Sequence, residues 1–120
     1  MAASTTSRAG DVLHVTLTRP ETRNAFDDAT AAELTSAFAE VGDARAVVLR
    51  GEGSSFSAGA DVDWMRATGG LSFEENLASA NAMRAMFEAI DGCPAPVVVA
   101  AQGHALGGGA GLVACADVAI

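Results

Sequence analysis

The sequence of 120 residues contains no lysine, and its seven basic residues are all arginines, scattered along the chain. Because a phosphate-binding P-loop requires Gly-Lys-Ser or Gly-Lys-Thr, the absence of lysine excludes that motif. The formal net charge is −8 and there is no basic run, which argues against nucleic acid and anionic membrane surfaces as partners. No apolar run is long enough to span a bilayer, and residues 1–8 lack the apolar core of a signal peptide.

Cysteine is also scarce. Cys93 and Cys115 show no metal-ligand spacing, and two cysteines in a chain of this size indicate a reduced, intracellular protein. Neither His14 nor His104 has a second ligand at metal spacing, so we interpret both as structural and predict no metal site. The expected compartment is the cytoplasm.

Two other patterns could suggest chemistry. Asp61 and Asp63 form an Asp-x-Asp pair that could bind a cation, but after a glycine turn helix capping is the favoured role. Ser55 and Ser57 lie in a glycine-rich stretch, but neither is the serine of a Gly-x-Ser-x-Gly nucleophile motif. Trp64 could line a ligand pocket or pack in the core.

The pattern of apolar residues predicts an α/β fold. Half of the residues are hydrophobic and 18% are charged, which is typical of a globular domain. We predict a flexible N-terminus at 1–10 and one domain at 11–120. Asp27 and Ser72 are predicted helix N-caps. The predicted strands are 11–18, 45–50 and 96–101, with a further strand beginning at 117, and the predicted helices lie within 27–42, 61–69, 72–92 and 108–114.

Two glycine turns link a predicted strand to a predicted helix, at 51–61 and at 103–109. Unpaired N–H groups at such turns can bind a phosphate or a carbonyl oxygen that becomes an oxyanion. A dinucleotide fingerprint fails, because the last glycine of Gly-x-Gly-x-x-Gly counted from Gly107 is replaced by Leu112. The alternative is that these glycines only allow tight packing of helix on strand.

Three segments, taken in order, resemble the enoyl-CoA hydratase/isomerase (crotonase) superfamily. They are Arg-Pro-Glu-Thr-Arg-Asn-Ala-Phe at 19–26, Phe-Ser-Ala-Gly-Ala-Asp at 56–61 and Gly-His-Ala-Leu-Gly-Gly-Gly at 103–109. The resemblance implies a ββα spiral, of which the chain matches the N-terminal portion. A similar Gly-Gly-Gly-x-Gly-Leu run occurs in some bacterial relatives that resemble methylglutaconyl-CoA hydratases.

The resemblance also implies a function and a site. Hydration of a 2-enoyl-CoA is the expected reaction, CoA arrives as part of the substrate, and no other cofactor is implied. The amides of Ala60 and Gly108 would hold the thioester oxygen, and a homo-oligomer, trimer or hexamer, would form if the full fold is present. The remaining substrate-binding residues would be Arg23, Ala25, Phe26, Ala58, Asp61, Val62, Gly107 and Gly111.

Gly111 departs from the family pattern. In two-glutamate hydratases of the family a catalytic Glu stands at this position, and the second catalytic Glu lies beyond Ile120. The chain therefore shows an oxyanion hole without an identifiable catalytic carboxylate. Other reactions on the same hole stay open, namely isomerisation, decarboxylation and thioester hydrolysis, as does a non-catalytic or truncated chain that binds acyl-CoA. Asp61 and Asp117 are the nearest acids, and we interpret both as structural.

Overall fold

The computed structural model describes residues 2–120, which form one five-stranded sheet with four α-helices. Most of the predicted elements are present, with ends shifted by one or a few residues. In chain order they are β1 (Ser4–Ala9), β2 (Val12–Leu17), α1 (Asp28–Ala39), β3 (Ala46–Gly51), α2 (Val62–Thr68), α3 (Phe73–Asp91), β4 (Val97–Ala100), α4 (Gly108–Ala114) and β5 (Val118–Ala119).

The strands lie side by side in the order in which they occur along the chain. β1 pairs antiparallel with β2, and every later pairing is parallel. Parallel neighbours require a connection that returns to the same end of the sheet, and helices supply most of it. The carboxyl ends of β3 and β4 therefore lie at the same edge, and the two glycine turns follow them there.

The helices begin at the residues that the capping patterns predict. Asp27 accepts a hydrogen bond from the Thr30 amide, with 3.1 Å between the atoms, and Thr30 bonds back to complete a capping box. Ser72 and Glu75 form the same arrangement at α3. α1 ends at Ala39, three residues before Gly42, the expected stop. None of the helices in residues 2–120 combines the length and apolar character that crossing a membrane requires.

The predicted flexible N-terminus at 1–10 is wrong for most of its length, while Met1 lies outside the described residues. β1 pairs with β2 over six residues, and the Glu33 carboxylate of α1 accepts a hydrogen bond of 2.9 Å from the Ala3 amide. Five of the six β1 side chains are exposed, so the strand has no apolar alternation that would reveal it. Backbone pairing with β2, rather than side-chain burial, holds it.

The core lies between one face of the sheet and helices α1 and α3. Alternate side chains of β2, β3 and β4 point into it, as expected for strands with one face covered. Helices α1 and α3 pack on each other, and buried side chains of both belong to the same hydrophobic cluster as those of the strands. The fully buried members include Val15, Leu17, Leu34, Val47, Leu49, Met86, Ile90, Val97 and Val99.

Candidate functional site

A cleft of about 560 Å³ opens beside the first glycine turn. Six of the predicted site residues line it, which brings two distant segments of the chain together. Gly107, Gly108, Gly111 and Phe26 do not line this cleft. Its lining residues are Pro20, Glu21, Thr22, Arg23, Ala25, Ser54, Ala58, Ala60, Asp61, Val62 and Asp63.

The first turn, residues 57–61, is held in place by the segment that contains Phe26. The Phe26 amide donates to the Gly59 carbonyl at 2.8 Å, and the Asp61 amide donates to the Phe26 carbonyl at 2.9 Å. These bonds flank Ala60 on both sides. The amide of Ala60 itself has no hydrogen-bond acceptor within residues 2–120. It is therefore an available donor on a turn whose other four amides are all hydrogen-bonded.

The second turn, residues 103–108, leads into α4. Gly107 has φ = 53° and precedes the first helical residue, Gly108. The Gly108 amide has no acceptor in the described part of the chain, as expected for the first residue of a helix. The next amide, that of Gly109, donates to the Leu106 carbonyl at 2.7 Å.

The two turns touch at Gly59. A Cβ atom built at Gly59 would lie 3.1 Å from the Gly108 nitrogen and 2.6 Å from the Leu106 carbonyl oxygen. Gly59 also has φ = 88°, so a side chain there would be both crowded and strained. Because Ala60 follows Gly59 directly, the two unbonded amides belong to adjoining pieces of backbone.

The Phe26 ring lies beneath the start of α4. Its side chain is 1% exposed, and a Cβ atom added at Gly108 would overlap the ring. A buried side chain has no surface to offer a ligand, so Phe26 can serve the site only through its packing and its backbone. The close approach requires glycine at position 108.

Asn24 connects the cleft segment to the loop after β3. Its buried side-chain amide donates to the carbonyls of Glu52, at 2.8 Å, and Ser55, at 3.1 Å, and its Oδ1 accepts from the Arg19 amide at 2.9 Å. Arg23 and Asn24 both have left-handed backbone conformations, with φ of 52° and 53°. Such conformations are uncommon without glycine, and the hydrogen bonds stabilise them here.

Gly111 faces an aromatic ring instead of open space. A Cβ atom at this position would lie 3.0 Å from Cε1 of Phe87, a half-buried residue of α3. The Phe87 ring in turn meets Phe26 edge to face, with 6.4 Å between centroids and 76° between planes. The position at which the family resemblance predicts a catalytic carboxylate is therefore crowded by Phe87.

The acidic groups near the site have structural partners. Asp61 caps α2 by accepting from the Trp64 amide at 2.9 Å, and Asp117 accepts from the Val97 amide at 2.7 Å. These contacts agree with the structural roles expected for both. Asp63 pairs with Arg66 on the surface at 3.4 Å. Arg23 is the one cation among the lining residues, against the carboxylates of Glu21, Asp61 and Asp63.

The other polar candidates are not arranged for catalysis. Ser57 is fully buried and donates to the Asn24 carbonyl, so it cannot reach a substrate. Burial, together with the nearby charge of Asp91, raises the pKa of the Cys115 thiol, which favours the unreactive protonated form. Trp64 is half-buried, and its indole N–H has no partner among residues 2–120. No three His, Cys, Asp or Glu side chains group as metal ligands within the same residues.

Two residues make contacts at the site that the sequence does not indicate. The Ser57 hydroxyl joins Asn24 to Gly59, although the sequence shows Ser57 only as part of the 56–61 segment and gives its hydroxyl no role. Phe87 belongs to the apolar stripe of α3 and is indistinguishable there from a core residue. Only its contact with Gly111, an expected catalytic position, distinguishes Phe87 from the core residues, and that contact is not visible in the sequence.

Comparison with known proteins agrees with this architecture. The family model "Enoyl-CoA hydratase/isomerase" matches residues 7–120. The chain is 42% identical over 107 residues to the "Probable enoyl-CoA hydratase" of Rhodobacter capsulatus, an alignment that covers 88% of this chain and 40% of the relative. It is 38% identical over 124 residues to a Rhodococcus jostii protein, with 100% and 46% covered, named "(7aS)-7a-methyl-1,5-dioxo-2,3,5,6,7,7a-hexahydro-1H-indene-carboxyl-CoA hydrolase".

Solved structures show the same likeness in three dimensions. The enoyl-CoA hydratase from Shewanella pealeana superposes with a TM-score of 0.91 at 34% identity, over 98% of this chain and 45% of that one. The architecture is therefore the N-terminal part of the crotonase fold. The chain spans less than half the length of each of these three proteins.

Proposed function

This chain belongs to the enoyl-CoA hydratase/isomerase family, and we propose that it binds an acyl-CoA thioester and stabilises its enolate through the amides of Ala60 and Gly108. One observation carries the proposal: both amides lack an acceptor within residues 2–120, and they lie on turns that touch at Gly59. Unbonded N–H groups converging from two turns are the usual form of an oxyanion hole.

The chemistry follows from where charge develops. When the α-carbon of a thioester gains electron density, resonance moves that charge to the carbonyl oxygen. Two fixed N–H donors stabilise the charged oxygen more than the neutral carbonyl, which lowers the barrier. In comparable sites one such donor contributes about 3–4 kcal/mol.

The CoA portion would lie along the cleft. Arg23 can pair with a phosphate, and Ala25 and Ala58 offer small side chains that let a ligand approach the backbone. The three cleft carboxylates and the net charge of −8 oppose an anionic ligand, so we expect added salt to weaken binding little. CoA enters as part of the substrate, and the proposal requires no further cofactor.

We assign hydration of a 2-enoyl-CoA as the first candidate reaction. Hydration needs a group that activates water and a group that protonates carbon. Gly111 can do neither, and Asp61 and Asp117 are committed to backbone amides. We therefore expect residues 1–120 alone to be a poor hydratase.

The position of Phe87 favours a second candidate function. Because its ring crowds the space next to Gly111, the hole is flanked by an apolar wall there. This favours binding without turnover, or a reaction that needs no carboxylate at this position. Isomerisation, decarboxylation and thioester hydrolysis remain the alternatives to hydration.

Binding and turnover should be measured on one purified sample. A bound cinnamoyl-CoA should show a red-shifted ultraviolet band, because polarisation of the carbonyl extends conjugation. Crotonyl-CoA hydration should be far below the enzyme median of about 10 per second. Absence of any band shift at saturating protein contradicts the proposed hole, and turnover near the median contradicts the expected lack of acid/base groups.

We also propose that the chain associates with further copies of itself and that it acts in the cytoplasm. Phe73 and Leu77, at the start of α3, are 76% and 49% exposed, and Val62 on α2 is 56% exposed. Exposed apolar side chains of this size favour contact with another surface. Light scattering on the same sample tests this, and a monodisperse monomer would contradict it.

A further inference from the structure

Phe26 lies outside both turns of the proposed hole and contacts each of them. On one side its backbone brackets Ala60 through hydrogen bonds of 2.8 Å to Gly59 and 2.9 Å from Asp61. These bonds fix the peptide planes before and after Ala60. The direction of the Ala60 N–H is therefore set by the position of the Phe26 backbone.

On the other side, the Phe26 ring supports the start of α4. The ring lies against the Cα of Gly108, where a Cβ atom would overlap it, and it is 1% exposed. A second side of the same helical turn is blocked as well, because a Cβ atom at Gly109 would overlap the Ser57 carbonyl. The first turn of α4 is therefore held between an aromatic ring and a piece of backbone.

The ring itself has little freedom to move. Phe87 meets it edge to face and also lies against Gly111, one helical turn after Gly108. Residues three apart lie on the same face of a helix, so the two rings support α4 at two successive points. Edge-to-face contact fixes the ring orientation in addition to filling space.

We propose that Phe26 is a positioning residue that sets the separation and direction of the Ala60 and Gly108 amides. The inference rests on the proposed function. A shared oxygen requires each nitrogen at about 2.7–3.2 Å, and the bonds weaken steeply outside this range. A residue with its backbone on one donor and its ring under the other is the direct means of fixing that geometry.

The competing explanation is that Phe26 only fills the core. Core filling predicts a loss of stability with no change in how strongly a bound thioester is polarised. The experiment compares Phe26→Leu with Phe38→Leu, an equally conservative change of a side chain that is 3% exposed on α1, outside both turns. The ultraviolet band of cinnamoyl-CoA is recorded at saturating protein, so that a difference in affinity does not contribute.

We expect Phe38→Leu to keep the full band shift of the unsubstituted protein and Phe26→Leu to lose more than half of it. Phe87→Leu, a change at a half-buried position, removes the edge-to-face partner of Phe26 and should lose a smaller part of the shift. A folded Phe26→Leu protein with an unchanged shift overturns the proposal. If Phe26→Leu does not fold, an unchanged shift in Phe87→Leu overturns it instead. Absence of a shift in the unsubstituted protein rejects the proposed function itself, which is a separate outcome.

Discussion

The hydroxyl of Ser57 donates a 2.8 Å hydrogen bond to the carbonyl oxygen of Asn24 and accepts one of 3.1 Å from the amide of Gly59. One fully buried side chain thus joins the segment before α1 to the turn that presents Ala60. The bond network around the proposed hole depends on this hydroxyl, and the dependence can be measured.

Ser57→Ala should lower the free energy of unfolding by about 1–3 kcal/mol, because it leaves a buried carbonyl and a buried amide without partners. Denaturant unfolding measures the change. The matched control is Ser36→Ala on the exposed face of α1, which should differ from the parent by less than about 0.5 kcal/mol. Equal stability of the two variants would show that water replaces the hydroxyl.

Ala60→Pro should abolish the band shift of bound cinnamoyl-CoA while leaving the sheet intact. Proline removes the N–H, and at this position no intramolecular hydrogen bond is lost. Ala60→Gly, which keeps the N–H, is the control and should retain the shift. A full shift in a folded Ala60→Pro protein would exclude this amide as a donor.

Proline at position 108 is a poorer test of the second donor. The sequence alone suggests that it is tolerated, because proline suits the first residue of a helix. The structure shows that any side chain there overlaps the Phe26 ring. A loss of polarisation in Gly108→Pro could then come from a displaced helix as well as from the missing N–H.

Gly111→Glu should destabilise the protein, although glutamate favours a helix over glycine by about 0.5–1 kcal/mol. Crowding against Phe87 should cost about 1–3 kcal/mol, which exceeds the gain in helix propensity. In a Phe87→Leu background the crowding is relieved and the same change should become neutral or stabilising. Thermal unfolding of the four proteins gives the coupling directly.

A matched control for that cycle is Ala110→Glu, at an exposed position of the same helix. Its effect should be small and identical in both backgrounds. If Phe87→Leu also changes the stability effect of Ala110→Glu, the effect of Gly111→Glu comes from charge or helix propensity and not from crowding. A Gly111→Glu protein of unchanged stability would show that Phe87 moves aside at little cost.

Asp27→Asn should reduce stability at neutral pH by about 0.5–1 kcal/mol, since asparagine keeps the helix cap but loses the ion pair with Arg19, 3.0 Å away. Burial raises the pKa of Asp27, but the Thr30 amide and the Arg19 charge together outweigh it, and the pKa lies below its ordinary value of 3.8. A lowered native pKa stabilises the fold above the ordinary value, and that stabilisation is lost as the pH falls.

The difference between Asp27→Asn and the parent should therefore be constant from about pH 5 upward, shrink as the pH falls through the ordinary pKa of Asp, and disappear only below the lowered pKa of Asp27. Unfolding curves at several pH values measure it. Asp43→Asn is the control, because Asp43 pairs with Arg8 at an exposed position where solvent screens the interaction. If the difference in stability persists at low pH, its cause is the altered cap geometry and not the lost charge.

The sequence predicts those elements whose signal is local. Asp27 and Ser72 start their helices as expected, because capping depends on residues within four positions of each other. β1 is the main failure: its exposed Ser-Thr-Thr-Ser-Arg-Ala carries no buried face, and its order comes from pairing with β2 and from Glu33. Neither contact is visible in a local pattern.

The same distinction holds at the site. The two glycine turns are predictable from composition and spacing, and the structure places them in contact. The Phe26 ring under Gly108 and the Phe87 ring beside Gly111 are not predictable, since they join residues far apart in the chain. Phe26 was expected to help hold CoA, whereas its side chain is buried among protein atoms.

From β2 to β5, each strand of the sheet pairs with the strand that precedes it along the chain. During synthesis, which proceeds from the N-terminus, every strand therefore emerges next to a partner that has already been made. α3 likewise packs on α1, an earlier helix. No strand among the described residues inserts between two earlier strands. The sheet can therefore form during synthesis by adding each new strand to its edge.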